Sequence, residues 1–135
     1  MNLTLPWPPS VNNYWHQRVV TPKGKRAMAM TYISDAGKTF KTDVHAAVLA
    51  TLKAKPVPLD GRLAVAILLH QPDRRGRDID NVVKPLLDAL TAAGVWLDDA
   101  QIDRLQVQRG AITKGGRADV SVTTIRAAEK EVFDG

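Results

Sequence analysis

Residues 62–99 read RLAVAILLHQPDRRGRDIDNVVKPLLDALTAAGVWLDD, and the periodicities of this stretch decide the fold class. Leu63, Val65, Ile67 and Leu69 alternate with Ala64, Ala66 and Leu68, so 62–70 is expected to be a strand buried on both faces. Residues 71–77 form a polar loop. A helix should then run from near Asn81 to Ala93 and stop at Gly94, a residue type favoured just past a helix end. Pro85 falls near its first turn, so the regular helix starts later than Asp80 or bends there. Ile79, Val83, Leu86 and Leu90 mark its buried face, while Asp80, Lys84 and Asp88 share another at helical spacing.

Working outward, Leu3 to Leu5 is a short strand ended by Pro6-Trp7-Pro8-Pro9, a rigid non-helical turn. Residues 16–31 read as a basic loop or loose hairpin. Ser34 is a helix N-cap with Asp35 in the first turn, and Phe40, Val44, Ala47, Val48 and Leu52 carry the helix to about Lys53. Residues 104–113 and 117–126 alternate on either side of Lys114-Gly115-Gly116, the pattern of a hairpin. The expected class is α+β, a small mixed sheet with two main helices packed on it. One domain spans residues 1–126, and 127–135 is an acidic tail.

With 135 residues and no cysteine, disulfide scaffolds, thiolate zinc, iron–sulfur clusters and thiol nucleophiles are excluded. No apolar run approaches the roughly 20 residues of a membrane span, and the N-terminus has no basic region ahead of an apolar one. A soluble cytoplasmic protein with no membrane partner is expected.

The formal charge is +5, unevenly spread. Residues 14–41 hold six basic groups and one acid, 104–126 hold five and one, and 72–103 hold four basic groups against seven acids. Twelve aspartates stand against two glutamates. A knot of aspartates between basic flanks suggests a metal site facing a polyanion.

In an extended segment Asp78 and Asp80 face the same way while Ile79 turns to the core. Val95-Trp96-Leu97 then delivers Asp98 and Asp99. Asp78, Asp80 and one of Asp98 or Asp99 make an all-oxygen set suited to Mg²⁺, with Mn²⁺ as a substitute. A cation would relieve the repulsion among three carboxylates, and Lys84 is placed to contact a carboxylate, a phosphate or a water. The bland alternative for Lys84 is a solvated ion pair with Asp80, worth about 0.2–0.5 kcal/mol. A calcium loop fails, because its sixth and twelfth positions would be Val83 and Ala89. The histidines His16, His45 and His70 show neither triad nor zinc spacing, and no glycine-rich phosphate loop calls for a nucleotide cofactor.

Four motifs taken together are similar to a known family. They are Leu5-Pro6-Trp7-Pro8-Pro9-Ser10, then Pro72-Asp73-Arg74-Arg75 with Arg77-Asp78-Ile79-Asp80-Asn81, Lys84 and Asp88-Ala89-Leu90. Trp96-Leu97-Asp98-Asp99-Ala100-Gln101 and Thr113-Lys114-Gly115-Gly116-Arg117 complete the set. Over residues 3 to about 125 the chain resembles the RusA family of Holliday junction resolvases. The resemblance implies a homodimeric, Mg²⁺-dependent endonuclease that resolves four-way DNA junctions by paired nicks, in recombination and repair and frequently prophage-encoded. It places the essential aspartates at Asp78, Asp80 and Asp99 and the essential lysine at Lys84. Asn12 matches within Pro-Pro-Ser-x-Asn.

A divalent ion would lower the pKa of bound water and clamp the reacting oxygens, with Lys84 adding charge beside the phosphate. Arg74, Arg75 and Arg77 are expected phosphate contacts, and Lys23, Lys25 and Arg26 further DNA contacts. Trp7 and Trp15 have two readings, stacking or wedging at a junction and packing under the proline turn, of which packing is expected; Trp96 is expected in the core. Two rivals remain at this point: an Mg²⁺ nuclease of looser selectivity, and a DNA-binding protein whose aspartates are structural.

Overall fold

A computed structural model describes residues 1–126; the expected acidic tail at 127–135 lies outside the described residues. Strand β1 (Asn2–Pro6) is followed by a one-turn helix α1 (Val11–Tyr14), a hairpin of β2 (Trp15–Val20) and β3 (Met28–Ile33), and helix α2 (Asp35–Leu52). Strand β4 (Leu63–His70), helix α3 (Val83–Ala92), β5 (Ile102–Arg109) and β6 (Arg117–Thr124) complete the order. The main sheet runs β1-β6-β4-β5, and β2-β3 is a separate two-stranded sheet. The α+β reading holds.

Helix α2 begins where its cap predicts. The Ser34 side chain accepts from the Gly37 N–H at 3.0 Å and donates to the Asn13 carbonyl. A cap of this kind is worth about 1 kcal/mol; here it also ties α2 to the short helix before it. Phe40, Val44 and Val48 on α2 and Leu86 and Leu90 on α3 are buried against Leu3, Leu5, Val65, Ile67, Val120 and Val122 of the sheet. Ala47, Leu52, Ile79 and Val83 are only partly buried at the edge of this core.

Three expectations are corrected. First, residues 104–126 are not a hairpin. Strand β4 lies between β5 and β6, parallel to β5 and antiparallel to β6. The seven residues 110–116 step across it, bonding to its end through Gly110 N–H to Leu69 O at 2.9 Å and Thr113 N–H to Gln71 O at 2.9 Å. Alternation marks a strand but not its neighbour, and β4 offered two edges to pair.

Second, β4 is buried along its whole length on one face only: Leu63, Val65, Ile67 and Leu69 are covered, while on the other Ala66 is exposed, Ala64 and Leu68 are half-buried and His70 at the strand end is buried. Helices cover a single side of the sheet, so the small outward residues need no cover. Third, Asp78 to Asp80 is not a continuous extended segment. Asp78 itself is extended, but Ile79–Val82 forms a 3₁₀ turn that runs into α3. Pro85 then sits at the third position of α3, where no N–H partner is lost. The late helix start expected from Pro85 is what the chain adopts.

Candidate active site

The aspartates lie on the loop after β4 and on the turn after α3, and Lys84 on α3 reaches the second of these. The loop after β4 is organised by Asp73, whose carboxylate accepts from the Arg75 backbone N–H at 3.0 Å and from Arg77 Nη1 at 2.7 Å. Arg77 also lies 5.9 Å over the Trp7 ring and is thereby fixed from two sides. Gly116 completes this corner. Its φ of +70° suits glycine, and a Cβ there would come within 2.8 Å of Trp7. The Thr113-Lys114-Gly115-Gly116 turn therefore has to bring a bare backbone against the tryptophan.

The bond from Arg77, then that from the Arg75 N–H, hold the Asp73 carboxyl down to about 2 from its ordinary 3.8. The lowered value means that this contribution to loop order is complete above the ordinary value and lost as pH falls through about 2. We expect the Trp7 indole resonance to shift between pH 3.8 and about 2. Asp73→Asn should show the acid-side resonance at neutral pH, and a resonance that ignores both changes would mean that Arg77 is held by something else.

Asp78 borders a cavity of about 540 Å³ with Trp7, Ser10, Asn13, Arg75, Arg77 and Asn81. Its side chain makes no capping bond to the turn it precedes, and Asp80 is exposed one residue into that turn. Among the described residues, neither carboxylate is engaged by another side chain. Arg74 and Arg75 are exposed, whereas Arg77 is the half-buried, anchored member of the three.

Asp99 is held from three directions. Its Oδ1 accepts from the Thr91 hydroxyl and, at 3.0 Å, from Trp96 Nε1; its Oδ2 accepts from Lys84 Nζ at 3.2 Å. Trp96 Nε1 also reaches Thr91 Oγ1 at 2.6 Å. Burial is the largest single influence on the Asp99 carboxyl and opposes ionisation. The bonds from Thr91, Trp96 and Lys84 together outweigh it and hold the group below the ordinary carboxylate range. Lys84 is therefore paired with Asp99, fifteen residues away, and not with Asp80.

Asp98 and Asp99, between which the spacing left a choice, have different partners. Asp98 is exposed and caps the 3₁₀ turn Asp99–Gln101, accepting from the Ala100 N–H at 2.8 Å in a reciprocal box with Gln101. One carboxylate caps the start of the turn, and the other bonds to Lys84 and Thr91 of α3.

Sequence reasoning missed the residues behind this arrangement. Tyr14 is fully buried, and its hydroxyl donates to Asp88 Oδ2 at 2.5 Å. Burial first, then the Asp88 bond, push its ionisation far above the ordinary tyrosine value. Lys41 reaches the same Asp88 oxygen at 3.6 Å. Thr91 had a signal, since 84, 88 and 91 recur on one helix face; Tyr14 had none, being 74 residues from its partner.

Asp78, Asp80 and Asp99 offer only hard oxygen donors, so their chemistry fits Mg²⁺ or Mn²⁺. Among the described residues, however, no three such side chains stand close enough together to hold a metal ion.

The family model described as endodeoxyribonuclease RusA matches residues 6–123, a span that contains every group above. The chain belongs to the RusA endodeoxyribonuclease family. The crossover junction endodeoxyribonuclease RusA of Shigella sonnei is 40% identical over 126 residues, covering 90% of this chain and 92% of that one. Those of Enterobacteria phage 82 and Escherichia coli are each 38% identical, with the same coverage. Membership in RusA agrees with the order and spacing of the four motifs. It also removes the purely structural reading of the chain, since these relatives are endonucleases by name. Among the described residues, no helix is long and apolar enough to cross a membrane.

Proposed function

We propose that this RusA member is a structure-selective endonuclease that resolves four-way DNA junctions by paired symmetric nicks, with Mg²⁺ as its cofactor and Asp78, Asp80 and Asp99, which do not converge in the free chain, as the ligands that close on it. The observation that carries the reading is the pairing of Lys84 with Asp99 at 3.2 Å. It joins two motifs that the sequence keeps fifteen residues apart and fixes a cation beside a carboxylate. The relatives' names supply the substrate class.

When bound, the metal supplies a water of lowered pKa and positive charge at phosphorus. The remaining work belongs to the chain. Thr91 and Trp96 orient Asp99 and keep it ionised; Lys84 places an ammonium where charge grows on the phosphate. Buried Tyr14 stays neutral and holds Asp88, which with Lys41 braces the outer face of α3. One chain carries one such centre, so two symmetric nicks require two chains about a shared axis.

Incubation of a labelled four-way junction with the protein in Mg²⁺ and in EDTA tests the reading. Paired nicks in Mg²⁺ alone are expected, and junction binding without nicking in either buffer overturns it. Arg74 and Arg75 are the exposed phosphate contacts in this account. Arg74→Ala with Arg75→Ala should flatten the slope of log K against log[salt] by about one unit per residue and chain. Folding stability should change by less than about 0.5 kcal/mol. An unchanged slope would assign both arginines to ordinary surface.

A further inference from the structure

The hairpin β2–β3 stands outside the core that the rest of the chain builds. Residues 16–19 and 28–32 are all exposed. A lone two-stranded hairpin is marginal in water, yet this one presents Val19 at 74% exposure, Met28 at 47%, Met30 at 46% and Tyr32 at 40%. Such a surface calls for an occupant.

Register sets His16 opposite Tyr32, Arg18 opposite Met30 and Val20 opposite Met28, all on one face. There the His16 and Tyr32 rings meet edge to face with centroids 5.9 Å apart, and the Arg18 guanidinium lies 5.4 Å over Tyr32. At the hairpin root, a concavity of about 700 Å³ is lined by Asn12, Trp15, His16, Gln17 and Tyr32 among others. Rings and two side-chain amides thus border one space.

Charge selects the occupant. Residues 15–33 contain Arg18, Lys23, Lys25 and Arg26 and no acid. None of the four forms an ion pair among the described residues. Two such hairpins repel one another, whereas a polyanion is attracted. The fitting ligand carries phosphates outside and a flat aromatic face with hydrogen-bonding edges inside. Paired duplex hides those faces; a single strand, or a base drawn out of the stack, exposes them.

We propose that the hairpin root receives an unstacked nucleobase at the branch point of the bound DNA. Tyr32 and His16 offer the stacking faces, Asn12 and Gln17 offer edge contacts, and Lys23, Lys25 and Arg26 follow the phosphates. This rests on the junction reading above and gives it a source of selectivity for branched over linear DNA.

The test places 2-aminopurine at the branch point and follows its emission as the full chain binds in EDTA, where no cleavage interferes. Wild type and Tyr32→Phe are expected to change the emission alike. Tyr32→Ala should lose that change and bind the junction about tenfold more weakly, the scale of one base–aromatic contact. Its affinity for linear duplex and its salt slope should stay as in wild type, because no phosphate contact is removed. Neutralising Lys23, Lys25 and Arg26 should do the reverse and flatten the slope. A circular dichroism spectrum matching wild type keeps a folding defect from imitating the result.

Wild-type emission and affinity in Tyr32→Ala overturn the inference while leaving the junction reading intact. A Tyr32→Ala protein that changes its mass in solution instead shows the hairpin to be a subunit contact, which also overturns it. A wild-type chain that binds no junction removes the reading and the inference together.

Discussion

Asp78→Asn, Asp80→Asn and Asp99→Asn are each expected to abolish cleavage while leaving junction binding intact or tighter. Each change removes one negative charge and keeps the side-chain shape, so repulsion toward phosphate falls. Loss of an outer hydrogen-bond partner of a metal ligand already costs about 10- to 100-fold, and loss of the ligand charge itself should cost more. Asp99→Asn carries a second consequence. The amide can still accept from Thr91 and Trp96, but the charged partner of Lys84, 3.2 Å away, is gone. The lysine is then free to engage the phosphate, so Asp99→Asn should tighten binding most of the three. Cleavage rates and binding isotherms on one junction, measured for all three variants, check both statements. Near-wild-type cleavage by any of them removes that residue from the centre.

Lys84→Ala should lower the cleavage rate by about 100- to 1,000-fold, the usual cost of losing one fixed group that stabilises transition-state charge. Junction affinity should fall less than tenfold, since Lys84 is one phosphate contact among many. Single-turnover cleavage at saturating protein separates the two effects. Rate and affinity that fall by the same factor would make Lys84 a binding residue, and no change in either would return it to the surface ion pair first considered. The lysine is largely exposed, so neither outcome should be confused with unfolding.

Part of the fold is written locally in the sequence and part is not. The Ser34 cap, the α2 core stripe and the delayed start of α3 at Pro85 are local matters, and local sequence carried them. Pairing was not local. Strands β5 and β6 alternate as a hairpin would, yet β4 sits between them because Gly110 and Thr113 bond to its end and lead the chain across. The outward alanines of β4 misled for a related reason: a small side chain fits a covered face or an open one equally well.

The acidic centre divides the same way. The aspartates and Lys84 stood out by spacing, and the motif resemblance picked Asp99 over Asp98. That Thr91 and Trp96 hold Asp99 while Asp98 accepts from the Ala100 N–H was not legible, because these partners are set by how α3 and the turn pack. Tyr14 could not be found, because its bond to Asp88 joins residues 74 apart and α1 is a single turn behind two prolines. Of the expected DNA contacts, Asn12 joins the hairpin root, and Arg77 is the one anchored within the protein.

The most direct test of the central claim compares three substrates of the same sequence, a mobile four-way junction, a flap and a linear duplex, cut by wild type and by Asp99→Asn in Mg²⁺. The account predicts paired, symmetric nicks in the junction alone, and none with Asp99→Asn. Equal cutting of flap or duplex by wild type, or junction cutting that survives the loss of the Asp99 charge, would contradict it.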